Sequence, residues 1–171
     1  MKLLDRILRR SSGDPHPPIE AYLREQHVPY EVHHHPPAYA AQRVAALEHV
    51  PGKMFAKVVI AFAGEQMVML VLPAPARVNL LKLAEVMCTE NVRLAREEEF
   101  AEAFPDCEVG AMPPLGNIYH LPVFVDKTLA EDDRIVFQAG THTESIEMSY
   151  RDFANMVHPR VADFANAWWG R

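Results

Sequence analysis

The strongest constraint on the fold is a pair of apolar runs, FAKVVIAFA (Phe55 to Ala63) and QMVMLVLPA (Gln66 to Ala74), separated only by Gly64 and Glu65. Both runs have strand composition, and a two-residue spacer containing glycine fits a tight hairpin. Neither run alternates polar with apolar residues, so both faces of the pair need a covering layer. With 171 residues, 49% of them hydrophobic, one domain can supply those layers without a disulfide or metal staple.

The covering layers are signalled around the hairpin. Pro17-Pro18 suits a helix start, with Ile19, Tyr22 and Leu23 on one face. Tyr30 to His34 reads as a short strand, and the alanine-rich Ala40 to His49 as a helix stopped by Pro51-Gly52. Asn79 is placed to cap a helix reaching about Met87, and Arg96 to Phe104 reads as another. Strands are expected at Leu121 to Val125, Arg134 to Ala139 and Ser145 to Met148, with a helix from about Tyr150 and a helical tail over Val161 to Trp169. Hairpins and short crossovers of this kind predict a mixed α/β fold, mainly antiparallel, with helices around the sheet. The N-terminal MKLLDRILRR predicts a short amphipathic helix, and SSGDPHPP a linker.

Composition excludes several function classes. The net charge is −6, which argues against gripping long duplexes but leaves room for touching the end of an RNA. No run approaches the ~20 apolar residues of a membrane span. Cys88 and Cys107, in a chain read as lacking a secretory leader, suggest a reducing compartment and are taken as packing residues.

Three features remain as candidate chemistry. Lys57 interrupts an otherwise apolar strand, where an ammonium is costly to bury unless it reaches water, an anion or a ligand. GAMPPLG (Gly110 to Gly116) uses two of only seven glycines and two adjacent prolines. It is either a plain turn or a stiff cradle, whose donors are the amides of Gly110, Ala111, Met112, Leu115 and Gly116. Finally, Thr141, His142 and Thr143 sit in a polar loop between apolar strands, a common place for site residues. His33-His34-His35 does not read as a metal site, because consecutive strand residues alternate faces.

Taken in order, the lysine strand, GAMPPLG and the Gly-Thr-His-Thr-Glu segment leading to SIEMSYRDF resemble the YbaK/prolyl-tRNA-synthetase-associated editing domain family. The opening VPYEVHHHPPAYAAQRVAAL is similar to that family's first strand and helix. The resemblance divides the chain into an N-terminal helix and linker (1–18), an editing domain (19–159) and a C-terminal helical tail (160–171). It implies a cytoplasmic aminoacyl-tRNA deacylase without cofactor or metal, acting on the acceptor end of mischarged tRNA, with a synthetase as a further partner and no DNA. The family's strand lysine maps to Lys57, and its Gly-x-x-x-Pro loop to Gly110 and Pro114, the expected catalytic set. Ala111, Met112, Leu115, Gly116, Thr141, His142 and Thr143 are the expected substrate-binding set. Ala111 and Pro113 stand where the family often has a second glycine and a small polar residue, which implies a stiffer, narrower loop. Two other readings stay open: a non-catalytic module that binds aminoacyl groups, the tRNA end or a synthetase, and a general small-ester or thioester hydrolase.

Overall fold

A computed structural model describes residues 18–166. The expected N-terminal helix, all but the last residue of the 1–18 linker region, and Trp168 and Trp169 lie outside them.

The hairpin is the centre of the sheet. β2 (Phe55–Ala63) pairs antiparallel with β3 (Gln66–Pro73) from Ala56 to Ala63, and Gly64 turns between them at φ +62°. β1 (Glu31–His34), β6 (Val123–Asp126), β7 (Arg134–Gln138), β8 (Glu144–Ser149) and β9 (Arg160–Ala162) extend it in the order β1-β8-β7-β2-β3-β6-β9. The pairs β1/β8, β7/β8 and β2/β3 are antiparallel, whereas β2/β7, β3/β6 and β6/β9 are parallel. A small antiparallel ribbon joins β4 (Arg77–Val78) to β10 (Ala165–Asn166).

Helices cover both faces. α1 (Pro18–Glu25) buries Ile19, Tyr22 and Leu23, the i, i+3, i+4 stripe read from sequence. It packs in one core with Phe153 and Val157 of α6 (Tyr150–Val157) and with Ala56, Ile60, Met69 and Val71 of the hairpin. On the opposite face, α2 (Ala41–Leu47) lays Val44 and Ala45 on Phe55 and Val136. Beside it, Leu83 of α3 (Leu80–Met87) packs with Leu70, Leu72 and Phe124. Asn79 caps α3 as expected, its side chain accepting from the Leu81 and Lys82 amides at 3.0 and 3.1 Å.

Three expectations need correction. The tail over 160–166 is not helical: β9 and β10 replace a helix, and Phe164 is fully buried between them. The Asp126 carboxylate fixes that turn by accepting from the Phe164 and Ala165 amides at 3.1 and 2.9 Å, and it caps α5 (Lys127–Ala130) by accepting from the Thr128 amide. The Arg96 to Phe104 helix is shorter, with α4 (Glu97–Phe100) followed by a single 3-10 turn. Cys88 is exposed at the left-handed end of α3 and so is no packing residue.

Candidate active site at the fork of the sheet

β2 has one edge fully paired and the other divided. At its start, β7 pairs with Phe55 and Ala56; at its end, β5 (Val92–Leu94) pairs with Ala61 to Ala63, and the Ala95 amide bonds to Ile60 O at 2.9 Å. Among the described residues, no strand covers the segment between, Lys57 to Val59, on that edge. Lys57 therefore stands where the sheet forks.

Alternation and the Lys57–Leu72 pair put Lys57 on the α2/α3 face, opposite Ala56 and Ile60. Its Nζ donates to Ala74 O at 3.0 Å. Burial, with the nearby positive charge of Arg77 second, pushes its pKa below the ordinary lysine range. Among the described residues, neither cation has a carboxylate partner. A half-buried ammonium beside a like charge is a site ready for an anion.

The GAMPPLG loop is buried and tied down by its neighbours. Ala111 through Gly116 are all buried. The loop is tied to the end of β7 by Glu108 N–H to Gly140 O (2.8 Å) and Gly140 N–H to Ala111 O (2.9 Å). Gly110 takes φ +86°, a conformation that favours glycine. Its amide points at Met112 Sδ (3.2 Å), and the Ala111 amide bonds to Glu108 O at 3.0 Å. The amides of Met112, Leu115 and Gly116 have no acceptor among the described residues, although buried backbone donors are normally paired. At the far end, a Cβ on Gly116 would lie 2.5 Å from Val123 Cγ2 and 3.0 Å from Leu121 O, so the backbone there is pinned.

The loop passes from one face of the sheet to the other. Met112 and Leu115 pack in the α1/α6 core, opposite Lys57. Gly110 lies against His142, with 3.6 Å between its built Cβ position and His142 Cε1. His142 belongs to the Lys57 side: it is held by Gln138, which lies two residues beyond Val136 and so on the same face. Among the described residues, no hydrogen bond or ion pair links Lys57 directly to residues 110–116. The connection runs through Ala74, which shares a packed cluster with Ala38, and then through Gln138 and His142.

His142 is an anchor. It is 8% exposed, and its Nε2 lies 2.9 Å from Val109 O while Nδ1 lies 3.4 Å from Gln138 Nε2. The carbonyl can only accept, so Nε2 carries the proton and Nδ1 accepts from the amide. Its backbone amide donates to Glu108 Oε2 at 2.7 Å. This tautomer makes the ring an anchor: Nε2 holds the carbonyl of Val109, the residue before Gly110, and Nδ1 is itself held by Gln138. The threonines are less involved. Thr143 is exposed, and the Thr141 and Thr143 hydroxyls meet each other at 3.3 Å. Neither hydroxyl bonds to the loop among the described residues.

Sequence reasoning missed Gln138 and Tyr39. Gln138 is a polar residue ending an apolar strand, the same signal that exposed Lys57. Tyr39 packs its ring on His142, centroids 4.7 Å apart, and carries no local mark beyond the preceding Pro36-Pro37. Cys107 sits beneath the loop with Sγ 3.3 Å from Tyr119 Oη, and burial pushes its thiol up to about 11, which rules out an easily formed thiolate. The histidine triplet alternates as expected. His33 lies 3.3–3.6 Å from Glu31, Glu48 and Glu147, His34 pairs with Glu144, and His35 is buried beside Glu48. Glu31, His33 and Glu147 bring their ligand atoms within 4.8 Å of one another. Arg134 donates to Glu147 at 2.6 Å, so the group reads as an ion-pair hub at the sheet edge.

Comparison with known proteins places the chain in a family. The profile of the aminoacyl-tRNA editing domain matches residues 35–156, most of the chain. The chain belongs to this family. Lys57, Gly110, Pro114 and His142 all fall inside the matched span, whereas α1 and the β9–β10 tail fall outside it. The chain is 35% identical over 81 residues to the proline–tRNA ligase of Thiobacillus denitrificans, an alignment spanning 47% of this chain but only 14% of that enzyme. A crystal structure of a hypothetical protein superposes with a TM-score of 0.78 at 23% identity, over 86% of this chain and 99% of that one. Another, described as a candidate trans-editing enzyme for prolyl tRNA synthetase, gives 0.75 at 18% identity, over 87% and 95%. At these identities the two structures establish the shared fold, mixed α/β and mainly antiparallel. No helix among the described residues is long and apolar enough to cross a membrane.

Proposed function

We propose that this editing domain is an aminoacyl-tRNA deacylase that hydrolyses the ester of mischarged tRNA in trans, in the cytoplasm. The observation that carries the reading is the set of amides at Met112, Leu115 and Gly116 that have no acceptor among the described residues, in a buried loop fastened to the end of β7, the strand that parts from β2 at Lys57. Donors fixed before the reaction begins are what a developing oxyanion needs. Water attacks the ester carbonyl, the carbonyl oxygen gains charge beside the loop amides, and the C–O bond to the terminal ribose breaks. The ribose oxygen leaves with one proton of the attacking water, the other passes to solvent, and the amino acid is released as its carboxylate. Gly110 and Pro114 set the cradle's shape. Lys57 takes the negative charge of the RNA end or of the transition state. Ala111, Met112, Leu115 and Gly116 hold the acyl group, while Thr141, His142 and Thr143 border the entry. An activated ester needs positioning more than a strong nucleophile, which suits a site without a triad. The doubly proline-stiffened loop favours a small acyl group such as alanyl.

A second reading, a non-catalytic module that binds the aminoacyl end or a synthetase, draws on one observation. Lys57 already donates to Ala74 O, on the face away from Met112 and Leu115. Deacylation of alanyl- and cysteinyl-tRNA carrying the proline acceptor, by wild type and Lys57→Ala, separates the two. Release of one amino acid that falls at least a hundredfold in the variant is expected. Turnover unchanged in Lys57→Ala removes Lys57 from the mechanism. Binding without turnover across the panel favours the module.

A further inference from the structure

Tyr39 is 76% exposed, and it is the only aromatic among the exposed large apolar side chains of the described residues. Its position is nonetheless fixed. The Ala38 amide donates to His142 O at 3.1 Å, and Ala38 O accepts from Gln138 Nε2 at 3.4 Å. On the other side, Ala40 O accepts from the Arg43 and Val44 amides at 2.9 and 3.1 Å, starting α2. The ring leans on the His142 imidazole at an interplanar angle of 53°, and that imidazole is itself locked to Val109 and Gln138. One side of the ring is thus backed by a rigid partner, and the rest faces water. Val109, the residue before Gly110, is also 39% exposed.

An aromatic ring held in solvent by backbone bonds on both sides gains little stability from its apolar surface. Its value is as a flat, pre-positioned face. The contacts run from Tyr39 to His142 and from His142 to the exposed Val109–Gly110 segment, which leads directly into the buried part of the loop. We propose that Tyr39 is the stacking platform for the terminal nucleobase of the RNA, the base on the ribose that carries the ester; this rests on the reading above, that the loop receives an aminoacyl end. Stacking needs no cationic stripe, which suits a chain of net charge −6. It also reads no base identity, so the platform grips an end common to many RNAs rather than choosing among them.

The test uses the whole chain and a short RNA whose 3′ end carries alanine through a non-hydrolysable amide, with binding followed by anisotropy. A second RNA has an abasic terminal nucleotide. Tyr39→Ala is expected to weaken binding of the first RNA about 5- to 160-fold, the range of one base–aromatic stack. Tyr39→Phe is expected to restore it to within about twofold, because the ring and not the hydroxyl carries the contact. Removing the base is expected to weaken wild type similarly while adding little to the loss in Tyr39→Ala. If wild type binds both RNAs equally, or if Tyr39→Ala loses as much with the abasic RNA, the platform is refuted while the aminoacyl site stands. If wild type binds neither RNA, the proposed function fails and this assignment fails with it. Thermal unfolding of Tyr39→Ala is expected to match wild type, since the side chain is mostly in water.

Discussion

Gly110 offers the sharpest test of the cradle, because its conformation and its surroundings can be separated. It sits at φ +86°, and a Cβ built on it has only one neighbour within 4 Å, His142 Cε1 at an ordinary 3.6 Å. Gly110→Ala therefore meets no steric wall, and its whole cost is backbone strain, about 1–2 kcal/mol for an L-residue held at positive φ. Gly110→Val adds two γ-carbons about 1.5 Å further out, at least one of which crowds the imidazole or the loop. The strain has two outlets. If the loop keeps its shape, thermal unfolding falls by about 2–8 °C, taking 2–4 °C per kcal/mol for a domain of this size, and the amides stay aimed. If the loop relaxes to negative φ, much of the stability returns, but the clamp between Ala111 and Gly140 is disturbed and the donors move. The expected outcome is the second for valine, with deacylation down at least tenfold in single-turnover assays and a melting temperature within a few degrees of wild type. Alanine is expected between valine and wild type. A valine variant with both wild-type turnover and wild-type melting temperature would refute the reasoning, because the positive φ would then have no role.

Two further outcomes follow from packing. Gly116→Ala puts a methyl 2.5 Å from Val123 Cγ2 and is expected to cost about 2 kcal/mol by overpacking. Val123→Ala alone costs a similar amount by leaving a cavity, yet the double variant is expected to lose clearly less than the sum; strictly additive urea-unfolding energies would show that the clash is relieved elsewhere. Asp126, 1% exposed, accepts four hydrogen bonds from Thr128, Phe164 and Ala165. Asp126→Ala is expected to destabilise by about 3–4 kcal/mol, because it strands two buried amides, and a loss under 1 kcal/mol in chemical denaturation would contradict that role.

What could be read ahead of the structure follows the range of the forces involved. The β2–β3 hairpin, the Asn79 cap and the α1 stripe are set by neighbours within a few residues, and sequence showed all three. β4, β5, β9 and β10 are two or three residues each, too short to carry a period. The tail shows the limit most clearly. Val161, Phe164 and Trp168 have helical spacing, but Val161 pairs with Val125, and Asp126 captures the two amides that a helix would have needed. At the candidate site, Lys57 and the loop were legible because a charge in an apolar run and a glycine–proline cluster are locally odd. What His142 anchors was not legible. It depends on Val109 and Gln138, which meet it only after the chain has folded. Nor did the sequence reveal that the loop's two ends lie on opposite faces of the sheet, because that depends on strand parity relative to a distant segment.

The fork in the sheet has a consequence for solvent exchange. Successive amides along β2 point alternately toward β3 and toward the opposite edge, so at least one among Lys57, Val58 and Val59 points into the uncovered gap. The middle of the central strand thus carries a backbone proton that deuterium can reach without global unfolding, while its neighbours toward β3 exchange only when the core opens. A molecule seated at the fork would slow that single position and leave the flanking ones untouched, giving the site its own built-in reporter of occupancy.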